Sequence, residues 1–135
     1  MKLTKNFSLD EFIKSRFYGE NQECVNEIFE DNKDQLLPNI QELANNLQVI
    51  RDYCGVPISI NIAFRPVWWE LKQGRSGNSQ HCLGKAADIV IQGYTPKDTY
   101  LLIEELIGKG VVKDGGLGKY ETFTHIDIRG KHARW

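Results

Sequence analysis

Three histidines, His81, His125 and His132, are the only imidazoles through which this chain could do acid–base or metal chemistry. The densest run of reactive side chains is Ser79-Gln80-His81-Cys82-Leu83-Gly84-Lys85-Ala86-Ala87-Asp88. A histidine on a loop and a carboxylate at the start of the next strand can point into one cleft, because Gly84, Ala86 and Ala87 let the backbone turn and pack closely. One nitrogen and one oxygen ligand make half of a zinc site, and a pair at this spacing also arises by chance. The second half is Phe123-Thr124-His125-Ile126-Asp127. On a strand, His125 and Asp127 share a face with Phe123 and Glu121, while Thr122, Thr124 and Ile126 take the other. Alone, that pattern reads equally well as a solvent-facing strand. In combination, His81, Asp88 and His125 offer two imidazoles and one carboxylate and leave a fourth tetrahedral position for water, as catalytic zinc requires. Closed structural sites consume more cysteine, whereas Cys24, Cys54 and Cys82 are odd in number and lack C-x-x-C spacing. A metal here is therefore expected to be held by nitrogen and oxygen.

Other conspicuous residues have structural readings on pattern alone. Arg65 reads as a surface arginine before Pro66. Of Trp68 and Trp69, one is expected to cap the core and the other to line a groove. Cys82 reads as a small buried hydrophobe. His132 reads as a surface residue in a basic tail that could also fold over the cleft. Gly115, Gly116 and Gly118 are not followed by the Lys-Ser/Thr and helix start of a phosphate loop, and read as turn residues.

Positioning these groups falls to a short list of elements. Ser8 and Glu11 form a capping box and Phe7 and Phe12 a hydrophobic staple, predicting a short helix from Leu9 that frays near Tyr18-Gly19. Glu20 to Asp34 is acidic with Val25, Ile28 and Phe29 at helical spacing, predicting a short surface helix or an ordered loop. Ile40, Leu43, Ala44, Leu47 and Ile50 recur at threes and fours between Pro38 and Gly55, predicting a helix over Pro38–Cys54. Ile58 to Phe64 alternates apolar and polar residues, and Ala86 to Ile91 reads as a more buried strand. Arg65 to Gln80 between them is a long connection of the kind that often carries function. Thr95 caps a helix with Pro96 at its first position, stopped by Gly108 or Gly110. Val111-Val112, the glycine-rich segment and Thr122 to Ile128 suggest a terminal hairpin. The expected fold class is α+β, with N-terminal helices on a small, mainly antiparallel sheet carrying the zinc site.

With 135 residues the chain is expected to form a single domain, 1–135, with a core of its own. Its 17 basic and 18 acidic residues give a net charge of −1, so there is no basic excess for nucleic acid and no charge block typical of a disordered tail. No apolar run approaches the length of a membrane span, and no apolar segment follows Lys2 and Lys5, so no signal peptide is expected. A monomer made in the cytoplasm is expected.

The string Ser79-x-His81-x-x-Gly84-x-Ala86-x-Asp88, followed by His125-x-Asp127, resembles the zinc peptidases of bacterial cell walls related to D-Ala-D-Ala carboxypeptidases and dipeptidases. That group shares its fold with lysostaphin-type endopeptidases and the hedgehog signalling domain. The likeness extends along nearly the whole chain: Asn6 to Phe12 resembles the opening helix of small phage and bacterial members, Ile60 to Pro66 their strand ending in Tyr-Arg-Ser/Pro, and Arg129 to Trp135 their tail. The resemblance implies that His81, Asp88 and His125 bind zinc, that Arg65 lies beside the metal to hold a substrate carboxylate or an oxyanion, and that Ser79 and Gln80 support the loop or bind substrate. It implies a hydrolase acting on peptidoglycan peptides, a phage endolysin among the options, or a binding module that has kept the metal and lost turnover. The sequence departs from the group at the general base. Many members carry glutamate three residues before the last ligand and some carry histidine two before it, where this chain has Thr122 and Phe123. Asp127 is the first candidate for the role, or else a partner orienting a histidine, and Glu121 is the alternative.

Overall fold

A computed structural model describes residues 1–135. The predicted staple is made, with the Phe7 and Phe12 rings edge-on at 6.2 Å, but only half of the capping box is: the Ser8 N–H donates to the Glu11 carboxylate at 2.7 Å, while the Glu11 N–H bonds the Ser8 backbone carbonyl rather than its hydroxyl. Helix α1, Asp10–Ile13, is nevertheless a single turn, shorter than expected. Lys14 turns extended, and Ser15 is held by Gln22 Oε1 at its N–H and by the Asn61 carbonyl at its hydroxyl, so the chain peels away before Tyr18. Helix α2, Gln22–Asp31, resolves the helix-or-loop alternative and buries Val25 and Phe29.

Helix α3, Lys33–Cys54, buries the predicted stripe of Ile40, Leu43, Ala44, Leu47 and Ile50, and Leu36 besides. It starts one and a half turns before Pro38, where the sequence placed its opening. Proline removes one helical N–H, but the first turn is secured upstream, where the Asn32 carbonyl accepts from the N–H groups of both Gln35 and Leu36. Gly55 ends the helix in the left-handed region at φ 69°, a conformation that only glycine adopts freely.

Strands β1, Ile58–Ile62, β2, Ala86–Ile91, β3, Gly116–Lys119, β4, Thr124–Asp127, and β5, Ala133–Arg134, form one sheet in the order β1-β2-β4-β3-β5. Every pairing is antiparallel except β3 with β5. The long connection from β1 to β2 is not all loop. It contains helix α4, Val67–Lys72, and a 3-10 turn over Gln80–Leu83. Helix α5, Pro96–Gly108, begins as predicted, with Thr95 Oγ1 accepting from the Asp98 N–H at 3.0 Å. The architecture is α+β, as the residue patterns predict.

Two registers matter for the site. Asp88 on β2 pairs with His125 on β4, and Gly118 on β3 pairs with His125 from the other side. Because strand side chains alternate, Ala87, Ile89, Leu117 and Ile126 enter the core on one face. On that face Thr124 donates to the Pro96 carbonyl and so meets α5. Asp88, His125 and Asp127 stand on the opposite face, away from the helix.

Candidate metal centre

His81 is carried by the 3-10 turn, which is tied back to the end of β1 by the Arg65 N–H bonding the His81 carbonyl. Gly84 closes the turn at φ 74°, and a Cβ there would sit 3.0 Å from Ile40 of α3. The glycine thus lets the turn lie directly on the helix, as the sequence anticipates. His81 Nδ1 donates to the Ala63 carbonyl at 2.7 Å, which leaves Nε2 bare and facing Asp88 Oδ1 at 3.3 Å. His125 mirrors it: Nε2 bonds Asp127 Oδ2 at 2.8 Å, and Nδ1 faces the same Asp88 oxygen at 3.2 Å. One ligand atom from each of His81, Asp88 and His125 lies within 4.8 Å of the others, and all three residues are buried. A carboxylate and two imidazoles, with each outer ring nitrogen anchored, is a donor set that fits a divalent metal such as zinc.

The electrostatics are uneven. Burial pulls the His81 imidazole below its ordinary value, against the attraction of Asp88. Burial acts the same way on His125, but hydrogen bonds to Asp127 and Asp88 outweigh it and hold that ring above its ordinary value. Burial alone would raise both carboxylates, yet the histidine partners of Asp88, and Arg129 with His125 beside Asp127, hold both far below the usual range.

Asp127 is behind the site rather than in it. Its Oδ1 accepts from the N–H groups of Gly116 and Arg129 and from Arg129 Nε, and its Oδ2 accepts from Arg129 Nη2 and His125. Both oxygens are therefore occupied, and Asp127 does not line the cavity of about 400 Å³ into which His81, Asp88 and His125 open. Glu121 is exposed in the turn between β3 and β4 and lies outside that cavity. Arg65, Ser79 and Gln80 do line it. Trp69 packs edge-on against Tyr18 at 4.9 Å and also lines an adjoining cavity of about 270 Å³, so capping the core and lining a cavity fall to one indole. Trp68 lines neither cavity.

Sequence reasoning missed several contributors. Glu70 on α4 is fully buried; its Oε2 accepts from Ser79 Oγ at 2.7 Å and pairs with Arg65 Nε at 3.0 Å. Burial works against its ionisation, but Ser79 and Arg65 together hold its pKa below the ordinary value. The C-terminal tail does fold over the cleft, through β5, but the residue it delivers is Trp135. The indole lies 5.0 Å from the His125 ring and donates Nε1–H to the Tyr120 hydroxyl, whereas His132 turns aside to Asp114. The glycines read as turn residues have a different task. A Cβ at Gly116, inside β3, would sit 2.2 Å from Asp127 Oδ2, and one at Gly118 would sit 2.4 Å from Trp135 Nε1. They clear space for the carboxylate that grips His125 and for the indole beside it. Arg129 could have been found by the strand rule, since it follows Asp127 by two and so projects from the same face. Glu70 left no signal, because only the fold brings α4 against the 3-10 turn.

A family model described as Peptidase M15 matches residues 5–127, a span that contains all three candidate ligands. No curated protein matches the chain.

Proposed function

The chain belongs to the peptidase M15 family, a family of metallopeptidases, and from that premise we propose that it hydrolyses peptide bonds in the stem or cross-link peptides of peptidoglycan, using zinc held by His81, Asp88 and His125. The observation that carries this reading is the convergence of those three side chains from a 3-10 turn and two strands, with the outer nitrogen of each histidine anchored. Zinc bound there would polarise a scissile carbonyl and lower the pKa of a bound water towards neutrality.

The chain's own residues divide the remaining work. The Ala63 carbonyl and the Asp127 carboxylate fix the two ring orientations and so present Nε2 of His81 and Nδ1 of His125 inward. Asp127 is thereby a positioning residue. Glu70 holds Arg65 at the cavity wall, where the guanidinium can bind a substrate carboxylate or an oxygen gaining negative charge. Ser79, tied to the same carboxylate, and Gln80 shape the rim of the cleft. Trp135 shields His125 from water on one side. Delivery through a phage holin or virion, to a wall-degrading role, is part of this proposal.

A second reading is favoured by one observation: Asp88 is the only acidic side chain lining the cavity, so no second carboxylate side chain stands ready to take a proton. A wall-binding or virion module with weak turnover would need none. Incubating the zinc-loaded chain with purified cell walls and resolving the released muropeptides by mass spectrometry separates the two. New products from the native chain and none from His81→Ala support the peptidase. Sedimentation with walls without any product supports the binding module.

A further inference from the structure

The two confluent cavities at the site share Arg65, Arg75, Asp88 and Phe123, and the smaller one adds Arg16. Their ionisable lining is lopsided. Arg16, Arg65, Arg75 and Arg129 stand against one acid, Asp88, which already faces the two histidines. Arg129 is committed to Asp127 and Arg65 to Glu70. Arg16 and Arg75 have no acidic partner: neither makes an ion pair, and the Arg16 guanidinium rests over the Phe17 ring at 5.1 Å. On a chain of net charge −1, two unpaired guanidiniums converging on one cavity beside a candidate catalytic centre are a concentration of positive potential that the fold itself does not use.

We propose that this smaller cavity is an anion subsite that selects substrates carrying a carboxylate next to the cleaved bond, with Arg16 and Arg75 as its specificity-determining residues and Phe17 and Trp69 as its apolar walls. Planar guanidiniums match a carboxylate bidentately, which makes the subsite selective for acid over amide. The inference rests on the peptidase reading for the nature of the ligand, a peptide. In such a peptide the carboxylate has two sources, the chain terminus or an internal acidic residue.

Calorimetric titration of the full chain, stripped of metal with a chelator so that turnover does not enter, distinguishes them. The probes are L-Ala-γ-D-Glu-L-Lys-D-Ala-D-Ala, the same peptide with the glutamate α-carboxylate amidated, and the same peptide with an amidated C-terminus. One amidation is expected to weaken binding by roughly 10-fold or more, as loss of a charged hydrogen-bond pair does, and the affected peptide identifies the source. Arg16→Gln and Arg75→Gln, both at exposed positions, are expected to lose a similar factor for the acid peptide and to bind the discriminating amide as the native chain does. Equal affinity of the native chain for all three peptides, binding of none, or equal loss by the variants for acid and amide would overturn the subsite. A preserved acid preference in a zinc-loaded chain that cleaves nothing would instead overturn the peptidase reading alone.

Discussion

Asp127 illustrates how much a side chain can do without touching a substrate. Five donors converge on its two oxygens, and one of them, His125 Nε2, decides which nitrogen the ring presents to Asp88. Asp127→Asn replaces one acceptor oxygen by a donor nitrogen, leaves Arg129 without its carboxylate, and frees the ring to reorient. Loss of such an outer partner lowers metal affinity by about 10- to 100-fold, and competition with a chromophoric chelator for zinc should read that drop while circular dichroism stays native. His81→Ala removes one of the three proposed ligands outright and should lose zinc at every chelator concentration tested. At this scale the sequence was readable where strand alternation governs: His125 and Asp127 do share a face. It was silent on which of them faces the cavity, because that depends on Arg129 and Gly116 gripping the carboxylate from behind. It was silent on Glu70 as well, since a charged residue on a six-residue helix reads as solvated until α4 packs against Arg65 and Ser79.

The elements place those residues by close approach, and β3 shows it most directly. Gly116→Ala would drive a methyl group 2.2 Å from Asp127 Oδ2 and 2.8 Å from Arg129 Nη2, both buried or partly buried in a bonded network. Relieving that overlap is expected to cost about 1–3 kcal/mol, seen as an earlier midpoint in denaturant unfolding, together with weaker zinc binding. Gly118→Ala meets only the pyrrole edge of a half-exposed indole. It should leave the unfolding midpoint within about 0.5 kcal/mol of native and shift the tryptophan emission as Trp135 leaves His125. A reversal of the two results would mean that β3 glycines act through backbone freedom rather than space. At the helix ends, local chemistry was legible: the staple, the Thr95 cap and the Gly55 stop are all where their residue types put them. Helix lengths were not, because α1 is cut short by the bonds that Ser15 donates to Gln22 and Asn61, and α3 runs past a proline because its first turn is already secured upstream by the Asn32 carbonyl.

Across the whole molecule, near-neutral charge conceals a partition, with acids spread over the helical surface and arginines gathered at the cleft. No helix is long and apolar enough to cross a membrane. The few acids buried at the cleft set how stability responds to acid. Glu70, Asp88 and Asp127 all have pKa values held below their ordinary ones in the fold, so the unfolded chain binds more protons as pH falls through about 4. Their contribution to stability is present above that range and is lost as pH falls. His81, depressed by burial, acts in the same direction but earlier, because the unfolded imidazole takes up its proton near 6.5 while the folded one resists. His125 opposes them: its raised value means that the folded chain holds the proton more tightly, which adds stability below about 6.5 and removes it as pH rises through the folded value. Three carboxylates and one histidine outweigh one histidine, so the thermal midpoint of the metal-free chain should fall between pH 7 and pH 4, most steeply below pH 5. Zinc changes the balance, because ligand nitrogens must shed their protons to bind it. With excess zinc the His125 contribution reverses sign, and the fall should begin near pH 6 and be steeper. Midpoints measured at half-unit pH steps with and without zinc test both slopes. A metal-free midpoint that is flat or rising towards pH 4 would show that the buried carboxylates do not hold their charge as the network of Arg65, Arg129 and the two histidines requires.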